Sequence, residues 1–344
     1  MSVFARGQPR KPVARRSGVA ARSLRWLVAA VLVAGGVTAA SRGPHRPTRP
    51  RVATTPVSAT SYLPIAFDPP APHPAYVPPP TPWMRYYDGS PRLLPGHRIV
   101  AFYGAAGAPG LGVLGTAGPE RLWPTLARTA AAYRTRHGRR VMAAYELITY
   151  VATRGPGRDG DYSTRVPDSV IAPYARAARR HRGLLVLDIQ PGRGDFLTQA
   201  RSLQRWLRLP YVGLALDPEW KLYGGEVPLQ GVGHTTAPAV NAVSRWLDRV
   251  TARHRLPQKL LLVHEFTDDM VQGKSAIAHR RHLATVFNVD GFGGRAAKAG
   301  RYQSFASAAR FPLGFKLFYE LDVAMMPPAV VIRLRPSPSV VEYE

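Results

Sequence analysis

The run Val212-Gly-Leu-Ala-Leu-Asp217 is one of seven short apolar segments that decide the fold of this 344-residue chain. Each segment stops at or beside a carboxylate, a tyrosine or a glycine, and stretches with a helical pattern separate most of them. Runs of this length, bounded by Gly and Pro, are typical of strands that are buried on both faces. The other six segments span residues 99–103, 141–146, 184–188, 260–265, 285–290 and 314–320.

Alternation of strand and helix predicts a parallel sheet. Seven or eight strands in roughly 250 residues predict an α/β fold of the (β/α)8 TIM-barrel type. In such a barrel the carboxyl ends of the strands form the active-site face, so the acids that end these runs are predicted to lie there. We expect helices over residues 119–137, 168–182, 195–209, 236–255, 275–283 and 296–309.

The last unit of the predicted barrel is irregular. Only residues 321–328 separate the seventh run from residues 329–334, which we interpret as the eighth strand. A parallel crossover usually needs a dozen residues or more. The eighth strand therefore follows a short turn of helix, or the barrel closes abnormally.

Three regions follow one another along the chain. Residues 1–25 hold seven basic residues and no acid, and an uncharged stretch follows to residue 41, so residues 1–41 predict a signal peptide or a membrane anchor with a transmembrane helix. The sequence favours neither. Residues 42–82, rich in Pro, Thr, Ala and Arg, predict a disordered linker, and residues 83–344 the barrel domain. The basic bias predicts an extracytoplasmic domain, either secreted or anchored to the cell membrane.

The net charge of +26 is a weak sign of nucleic-acid binding here. Residues 1–51 carry 11 Lys and Arg and no acid, which leaves +15 on the rest, and 41 of the 47 basic residues are Arg. No basic stripe with interleaved aromatic residues accompanies this bias, so we expect no nucleic-acid partner. An anionic wall polymer or a membrane surface stays open as an electrostatic partner. The absence of cysteine excludes disulfides, thiolate metal sites and a Cys nucleophile.

Alternate residues of a barrel strand face the lumen, so strand position predicts the side on which each acid lies. The small residues Gly213 and Ala215 suit a crowded lumen, which places Asp217 inward. Asn288 would lack hydrogen-bond partners beneath a helix layer, so Asn288 and Asp290 are also predicted to face inward.

The same reasoning places Lys316 and Glu320 in the lumen, because an ammonium beneath the helices would be poorly solvated. Glu146 belongs to the inward set of its strand. For the fifth run the pattern does not decide between His264 and Glu265. A luminal Lys316 needs a carboxylate beside it, and Asp290 and Glu320 are the candidates.

A long loop after Asp217 carries Glu219, Trp220 and Tyr223. Aromatic rings on a loop beside two acids are typical of a sugar-binding cleft, where apolar ring faces stack on pyranose faces. The number of carboxylates predicted at the carboxyl-terminal opening of the barrel exceeds what stability requires, because each desolvated acid costs free energy unless it is paired. The competing interpretation is that several of them cap loops or pair with Arg193, Arg295 or Lys316.

Two motif matches in the chain are weak. Residues 110–115 fit G-x-G-x-x-G, but the first glycine lies well past the strand end and no acid follows at the expected spacing of about 20 residues. His264-Glu265 lacks the second His of H-E-x-x-H. We therefore predict no cofactor and no metal ligand.

Four strings resemble a group of exported or lipid-anchored proteins of unknown function from GC-rich Gram-positive bacteria. They are Leu187-Asp-Ile-Gln-Pro-Gly192, Leu214-Ala-Leu-Asp-Pro-Glu-Trp220, Asp290-Gly-Phe-Gly293 and Gly314-Phe-Lys-Leu-Phe-Tyr-Glu320. The resemblance covers roughly residues 98–344 and implies a barrel domain outside the membrane, without an established activity. The layout also resembles glycosidase barrels, although their commonest large clan has Asn-Glu at the end of strand four, where this chain has Asp217-Pro-Glu219.

The leading hypothesis is an extracytoplasmic, carbohydrate-active barrel, a glycoside hydrolase acting on a cell-wall or extracellular polysaccharide as a monomer. Asp217 or Glu219 is the predicted general acid, with Glu320 or Asp290 as nucleophile or base. Whether the protein is an enzyme is left open. The remaining residues predicted to bind substrate are Tyr103, Glu146, Asp188, Trp220, Tyr223, His264, Glu265, Lys316 and Tyr319.

Two alternatives stay open at this point. The main one is a non-catalytic protein that binds glycan or cell wall on a barrel scaffold, with affinity but no turnover. The other is phosphodiester hydrolysis with a divalent metal held by Asp188, Asp217 and Asp290, which would require the metal for activity.

Overall fold

The structure, a computed structural model, describes residues 84–344, and these form a closed barrel of eight parallel strands surrounded by helices. The first strand of the chain pairs with the second on one side and with the last on the other, which closes the barrel. Its strands are β1 (His97–Gly104), β2 (Arg140–Ala152), β4 (Leu184–Ile189), β5 (Val212–Leu216), β7 (Lys259–Glu265), β9 (Leu283–Val289), β10 (Leu313–Leu317) and β11 (Val340–Tyr343). The TIM-like α/β fold predicted from the sequence is therefore present.

Three short strands lie outside the barrel. Strand β3 (Ser163–Arg165) pairs antiparallel with the end of β2, and β6 (Thr235–Thr236) pairs with β8 (Val271–Gln272). The helices are α1 (Pro119–Ala131), α2 (Asp168–Arg180), α3 (Phe196–Ser202), α4 (Gln204–Leu207), α5 (Ala237–Arg253), α6 (Arg295–Ser307) and α7 (Pro328–Val331). Single 3-10 turns lie at Pro109–Leu111, Val113–Gly115, Pro218–Trp220 and Lys274–Ala276.

All seven apolar runs are barrel strands, whereas the predicted eighth strand is wrong. Residues 329–334 do not form a strand, because Pro328–Val331 is the short helix α7 and starts after Pro327, whose extended backbone suits a helix N-cap. The barrel is closed instead by Val340–Tyr343, which pairs with β1 and β10. The irregular last unit is thus a short helix followed by a regular parallel strand.

The helix predicted over residues 275–283 is also wrong. Between β7 and β9 the chain forms strand β8 and the 3-10 turn Lys274–Ala276, then runs without regular structure into β9. Aromatic side chains cover this part of the barrel: Phe311 lies 5.3 Å from Phe287 and 4.1 Å from His279, measured between ring centroids. These contacts bury the outer face of β9 that a helix would otherwise cover.

Strand register confirms the predicted inward faces. Tyr103 lies opposite Glu146, and His264 lies opposite Asn288. Side chains opposite one another in a sheet point to the same face, so His264 is the inward residue of β7 and Glu265 the outward one. The lower lumen holds apolar side chains, whereas ionisable groups fill its upper half towards the carboxyl ends of the strands.

The signal or anchor predicted for residues 1–41 and the linker predicted for residues 42–82 lie outside the described residues. Within residues 84–344 no helix has both the length and the apolar character needed to cross a membrane.

Candidate active site

A protonated histidine lies at the bottom of the site. His264, on β7, has Nε2 2.9 Å from Glu146 Oε1 and Nδ1 2.9 Å from Asp290 Oδ2, and its side chain is fully buried. Burial alone would lower the pKa of His264, but Asp290, Glu342 and the hydrogen bonds raise it well above its ordinary value. Because both ring nitrogens face carboxylate oxygens, the ring is an imidazolium that donates to both.

An asparagine opposite His264 links two strands through its side-chain amide. Asn288 Nδ2 donates to Asp290 Oδ1 and to Glu342 Oε2, each at 2.7 Å. Gly314 on β10 lies opposite Asn288, and a Cβ at that position would collide with Asn288 Oδ1. Because Gly314 has no side chain, the Asn288 amide can pack against β10 and donate to both carboxyl groups.

Glu146 and Glu342 are buried close together, and their pKa values shift in opposite directions. Burial and the charge of Glu146 raise the pKa of Glu342 well above its ordinary value. Burial would also raise the pKa of Glu146, but hydrogen bonds from Glu342 and His264 hold this pKa below its ordinary value. Glu146 is thus the ionised member of the pair and Glu342 the neutral one.

The second buried cation is Lys316 on β10. Its Nζ lies 2.8 Å from Glu344 Oε2, 3.6 Å from Asp290 Oδ2 and 3.5 Å from the ring centre of Tyr103. Burial would lower the pKa of Lys316, but Glu344 and Asp290 raise it well above its ordinary value. The hydroxyl of Tyr103 in turn donates to Asp188 Oδ2 at 3.2 Å.

Asp290 is held ionised by this arrangement. Burial would raise the pKa of Asp290, but Lys316 and the charge and hydrogen bond of His264 hold it below its ordinary value. Both of its oxygens accept hydrogen bonds, one from Asn288 and one from His264. The carboxylate is therefore fixed in orientation at the bottom of the mouth.

Above the cluster a narrow pocket opens at the carboxyl ends of the strands, with room of about 50 Å³ for water-sized molecules. Acids, one lysine and aromatic rings line it. The functional side chains among these are Tyr103, Gln190, Asp217, Glu219, Trp220, Phe266, Asp290, Phe292, Lys316, Phe318 and Glu344. We call this space the mouth pocket.

Within residues 84–344, three acids at or beneath the mouth pocket form no ion pair. Burial raises the pKa of Asp188 to about 7 and that of Glu219 to about 7, and it raises the pKa of Asp217 well above the ordinary value. Asp217 and Glu219 belong to the 3-10 turn Pro218–Trp220 and its N-cap, directly after β5. Glu219 is half-buried and lines the mouth pocket, so a ligand in this pocket lies beside it.

The structure brings together most residues predicted from the sequence. Tyr103, Asp217, Glu219, Trp220, Asp290 and Lys316 line the mouth pocket, and Glu146, Asp188 and His264 lie directly beneath it. Four predicted residues lie elsewhere: Glu265, Tyr223, Tyr319 and Glu320.

These four residues are displaced for different reasons. Glu265 points out of the barrel, where Lys274 Nζ lies 2.6 Å from its Oε1. Tyr223 packs on His234 within its loop, at 4.7 Å between ring centroids. Tyr319 and Glu320 lie in an exposed turn, because β10 ends at Leu317 and the alternation that placed Glu320 in the lumen stops there.

Sequence reasoning missed Glu342 and Glu344, which lie on and just after the eighth strand. The string Val340-Val-Glu-Tyr343 carries the same signal as the other runs, a short apolar segment that stops at a carboxylate and a tyrosine. The apolar pattern favours residues 329–334 for the last strand instead, because that run is the more apolar of the two. Glu344 takes the place beside Lys316 that was predicted for Glu320.

Glu146, His264 and Glu342 bring three potential metal ligands within 4.8 Å of one another. His264 donates from both ring nitrogens, and a protonated imidazole has no free lone pair for a metal. These residues fit a divalent ion only in a state in which His264 has lost a proton.

A scan against protein-family models finds no match to this chain, and a search of curated proteins finds no match either.

Proposed function

We propose that this protein is an extracytoplasmic glycoside hydrolase that acts on a cell-wall or extracellular polysaccharide as a monomer. The observation that carries the proposal is a pair of carboxyl groups in one pocket whose pKa values are pushed apart. Burial raises the pKa of Glu219 to about 7, whereas Lys316 and His264 hold that of Asp290 below its ordinary value. Such a pair supplies a proton donor and an ionised carboxylate at the same pH.

Glu219 is the general acid in this mechanism. Near neutral pH a large part of Glu219 is protonated, and it gives its proton to the glycosidic oxygen as the bond from that oxygen to the anomeric carbon breaks. Asp290 either attacks the anomeric carbon, after which water hydrolyses the glycosyl ester, or removes a proton from the attacking water. In the first route Glu219 takes the proton of the water that hydrolyses the ester. In the second route Asp290 takes that proton, and it returns to Glu219 through solvent. Each route therefore consumes one water molecule and leaves both carboxyl groups in their starting states.

The walls of the mouth pocket also suit a sugar. Trp220 and Phe292 are among the rings that line it, and such rings offer flat apolar faces to the C–H faces of a pyranose that rests at the opening. The extracytoplasmic location rests on the basic and apolar sequence of residues 1–41.

The test is turnover of purified full-length protein on a panel of cell walls and soluble polysaccharides of neutral, amino and uronic sugars. We expect Glu219→Gln and Asp290→Asn each to reduce kcat by about 10²-fold to 10⁴-fold, the usual contribution of such a group. Glu320→Gln should retain the parent kcat, because Glu320 is exposed outside the mouth pocket. In the parent, kcat/KM should fall as the pH rises above about 7 and Glu219 of the free enzyme ionises.

Other outcomes separate the alternatives. Binding of a polysaccharide without turnover would identify a glycan-binding protein, in which Glu219→Gln changes affinity alone. Loss of turnover in chelator, with recovery on adding a divalent metal, would favour the metal-dependent phosphodiester reaction. Full activity of Glu219→Gln and Asp290→Asn would refute the assignment of both residues.

A further inference from the structure

We propose that the mouth pocket binds a primary ammonium group, so that the substrates are polysaccharides of amino sugars with free amines. The identity of the polymer rests on the proposed function, whereas the ammonium contact can be measured apart from catalysis.

The first observation is the balance of charge around the mouth pocket. Its lining holds four carboxyl side chains, those of Asp217, Glu219, Asp290 and Glu344, and one ammonium, that of Lys316. Lys316 is already engaged by Glu344 at 2.8 Å and by Asp290 at 3.6 Å. Among residues 84–344 no cation lies within ion-pair distance of Asp217 or Glu219.

The second observation is an unsatisfied acceptor. Asp217 Oδ1 is buried and has no hydrogen-bond partner among the described residues, although the side chain lines the mouth pocket and is only 4% exposed. The side chain of Asp217 makes no capping hydrogen bond to the 3-10 turn that follows. A buried acceptor without a partner costs free energy, and a ligand that donates to it removes that cost.

An ammonium meets both conditions better than a neutral group does. It supplies three donors and a positive charge, so it can donate to Asp217 Oδ1 and let Asp217 ionise while Glu219 keeps the proton that it needs as the general acid. A hydroxyl offers one donor and no charge. An acetamido nitrogen offers one N–H, also without charge, and brings three more heavy atoms into the pocket.

The size of the pocket agrees with this choice. Room of about 50 Å³ corresponds to a few water molecules, since one water needs about 10 to 15 Å³ of such space. An ammonium is close to water in size and enters this space, while the sugar ring that carries it rests at the aromatic rim formed by Trp220 and Phe292.

The first test is equilibrium binding to the full-length protein, with glucosamine and galactosamine hydrochloride compared with their N-acetylated forms by calorimetry. We expect the free amines to bind at least tenfold more tightly. Asp217→Asn should reduce this preference to about twofold or less. Asp248→Asn is the matched control, because Asp248 lies in the outer helix α5 and accepts a hydrogen bond from the His282 backbone amide. This variant should keep the preference for free amines over N-acetylated sugars.

The second test is turnover of matched polymers, chitosan against N-acetylated chitin oligomers and the corresponding galactosamine polymers. Hydrolysis with no preference for the free amine would overturn the ammonium site and leave the glycoside hydrolase standing. Asp217-dependent binding of glucosamine without hydrolysis of any polymer would do the reverse. If Mg²⁺ or Ca²⁺ displaces glucosamine and binds more tightly through Asp217, the pocket is a metal site and the proposal fails.

Discussion

Two lysines buried at opposite ends of the barrel differ in what surrounds them. Lys259, at the first position of β7, donates to the carbonyl oxygens of Leu209 and Val212, each at 2.7 Å, and burial lowers its pKa to about 7. Lys316, near the end of β10, contacts the carboxylates of Glu344 and Asp290, which raise its pKa well above the ordinary value although burial opposes them.

The difference shows which carboxylates the fold needs. At the amino end of the barrel the chain buries an amine with backbone carbonyls alone, so burial of a lysine in this protein does not require an acid. At the carboxyl end seven acids surround Lys316 and His264, and burial raises the pKa values of three of them, Asp188, Asp217 and Glu219. That excess is a cost to stability, as is common in functional sites.

The largest effect expected is that of Lys316→Met. It leaves Asp290 and Glu344 without their cation in the lumen, and loss of one partner of a buried pair costs about 3 to 5 kcal/mol of the free energy of unfolding. Chemical denaturation at pH 7 measures it. The double variant Lys316→Met/Asp290→Asn should be more stable than the sum of the single effects indicates, because the uncompensated charge is gone. If Lys316→Met is as stable as the parent, the contrast between the two ends of the barrel is lost.

A smaller loss is expected from Gly314→Ala. The new Cβ would collide with Asn288 Oδ1 and lie 3.3 Å from Val340 Cβ, so Asn288 must move and release Asp290 and Glu342. Overpacking of this kind costs about 1 to 3 kcal/mol. Gly300→Ala is the control: nothing lies within 4 Å of its added Cβ in helix α6, and it should gain about 0.5 to 1 kcal/mol. Equal thermal stability of both variants would contradict the packing described for Asn288.

Much of the fold was predictable from local pattern. Strands buried on both faces are short apolar runs, and seven of eight were identified because Gly, Pro or a carboxylate ends each of them. The eighth failed because residues 329–334 are more apolar than residues 340–343, and composition does not show that Pro327 and Pro328 start a helix. The helix expected before β9 failed because aromatic packing of Phe287 and Phe311 takes its place.

The site was predictable where strand alternation holds and not beyond it. Alternation placed Glu146, Asp290 and Lys316 in the lumen, where the structure has them. It failed for Glu320, because the strand ends three residues earlier and the chain turns out to solvent. The contact between Glu146 and Glu342 joins residues far apart in sequence, and only closure of the barrel brings them together.

Lys259→Met tests the other end of the barrel. In the folded protein the pKa of Lys259 is about 7, while an unfolded lysine titrates near 10.5. Between these pH values the unfolded chain binds a proton that the folded chain lacks, so this group makes stability rise with pH from about 7 to 10.5. At pH 7 the parent carries the cost of this lowered pKa and the variant does not, so Lys259→Met should be at least as stable as the parent although two hydrogen bonds to carbonyls are lost.

The comparison at two pH values makes this prediction specific. Raised to pH 9.5, the parent should gain stability relative to Lys259→Met, because the variant lacks the titrating group. Denaturation midpoints of both proteins at pH 7 and pH 9.5 measure the gain, and other groups cancel in the difference. A difference that stays constant would mean that the amine of Lys259 keeps its ordinary pKa.

The smallest effect on stability, and of opposite sign, is expected from Asp217→Asn. The folded-state pKa of Asp217 lies above the unfolded value, so its favourable contribution is complete below the unfolded pKa of about 3.8 and is lost as the pH rises through the folded value. Asparagine does not titrate, so this loss of stability is absent in the variant. At pH 7 the free energy of unfolding of Asp217→Asn should equal that of the parent or exceed it by about 1 kcal/mol, and at pH 3.5 it should show no gain. Asp290→Asn should destabilise instead, because His264 and Lys316 rely on its charge. Thermal melts at both pH values decide: if Asp217→Asn unfolds the protein while Asp290→Asn does not, Asp217 is a structural cap, and the mouth pocket loses its central member.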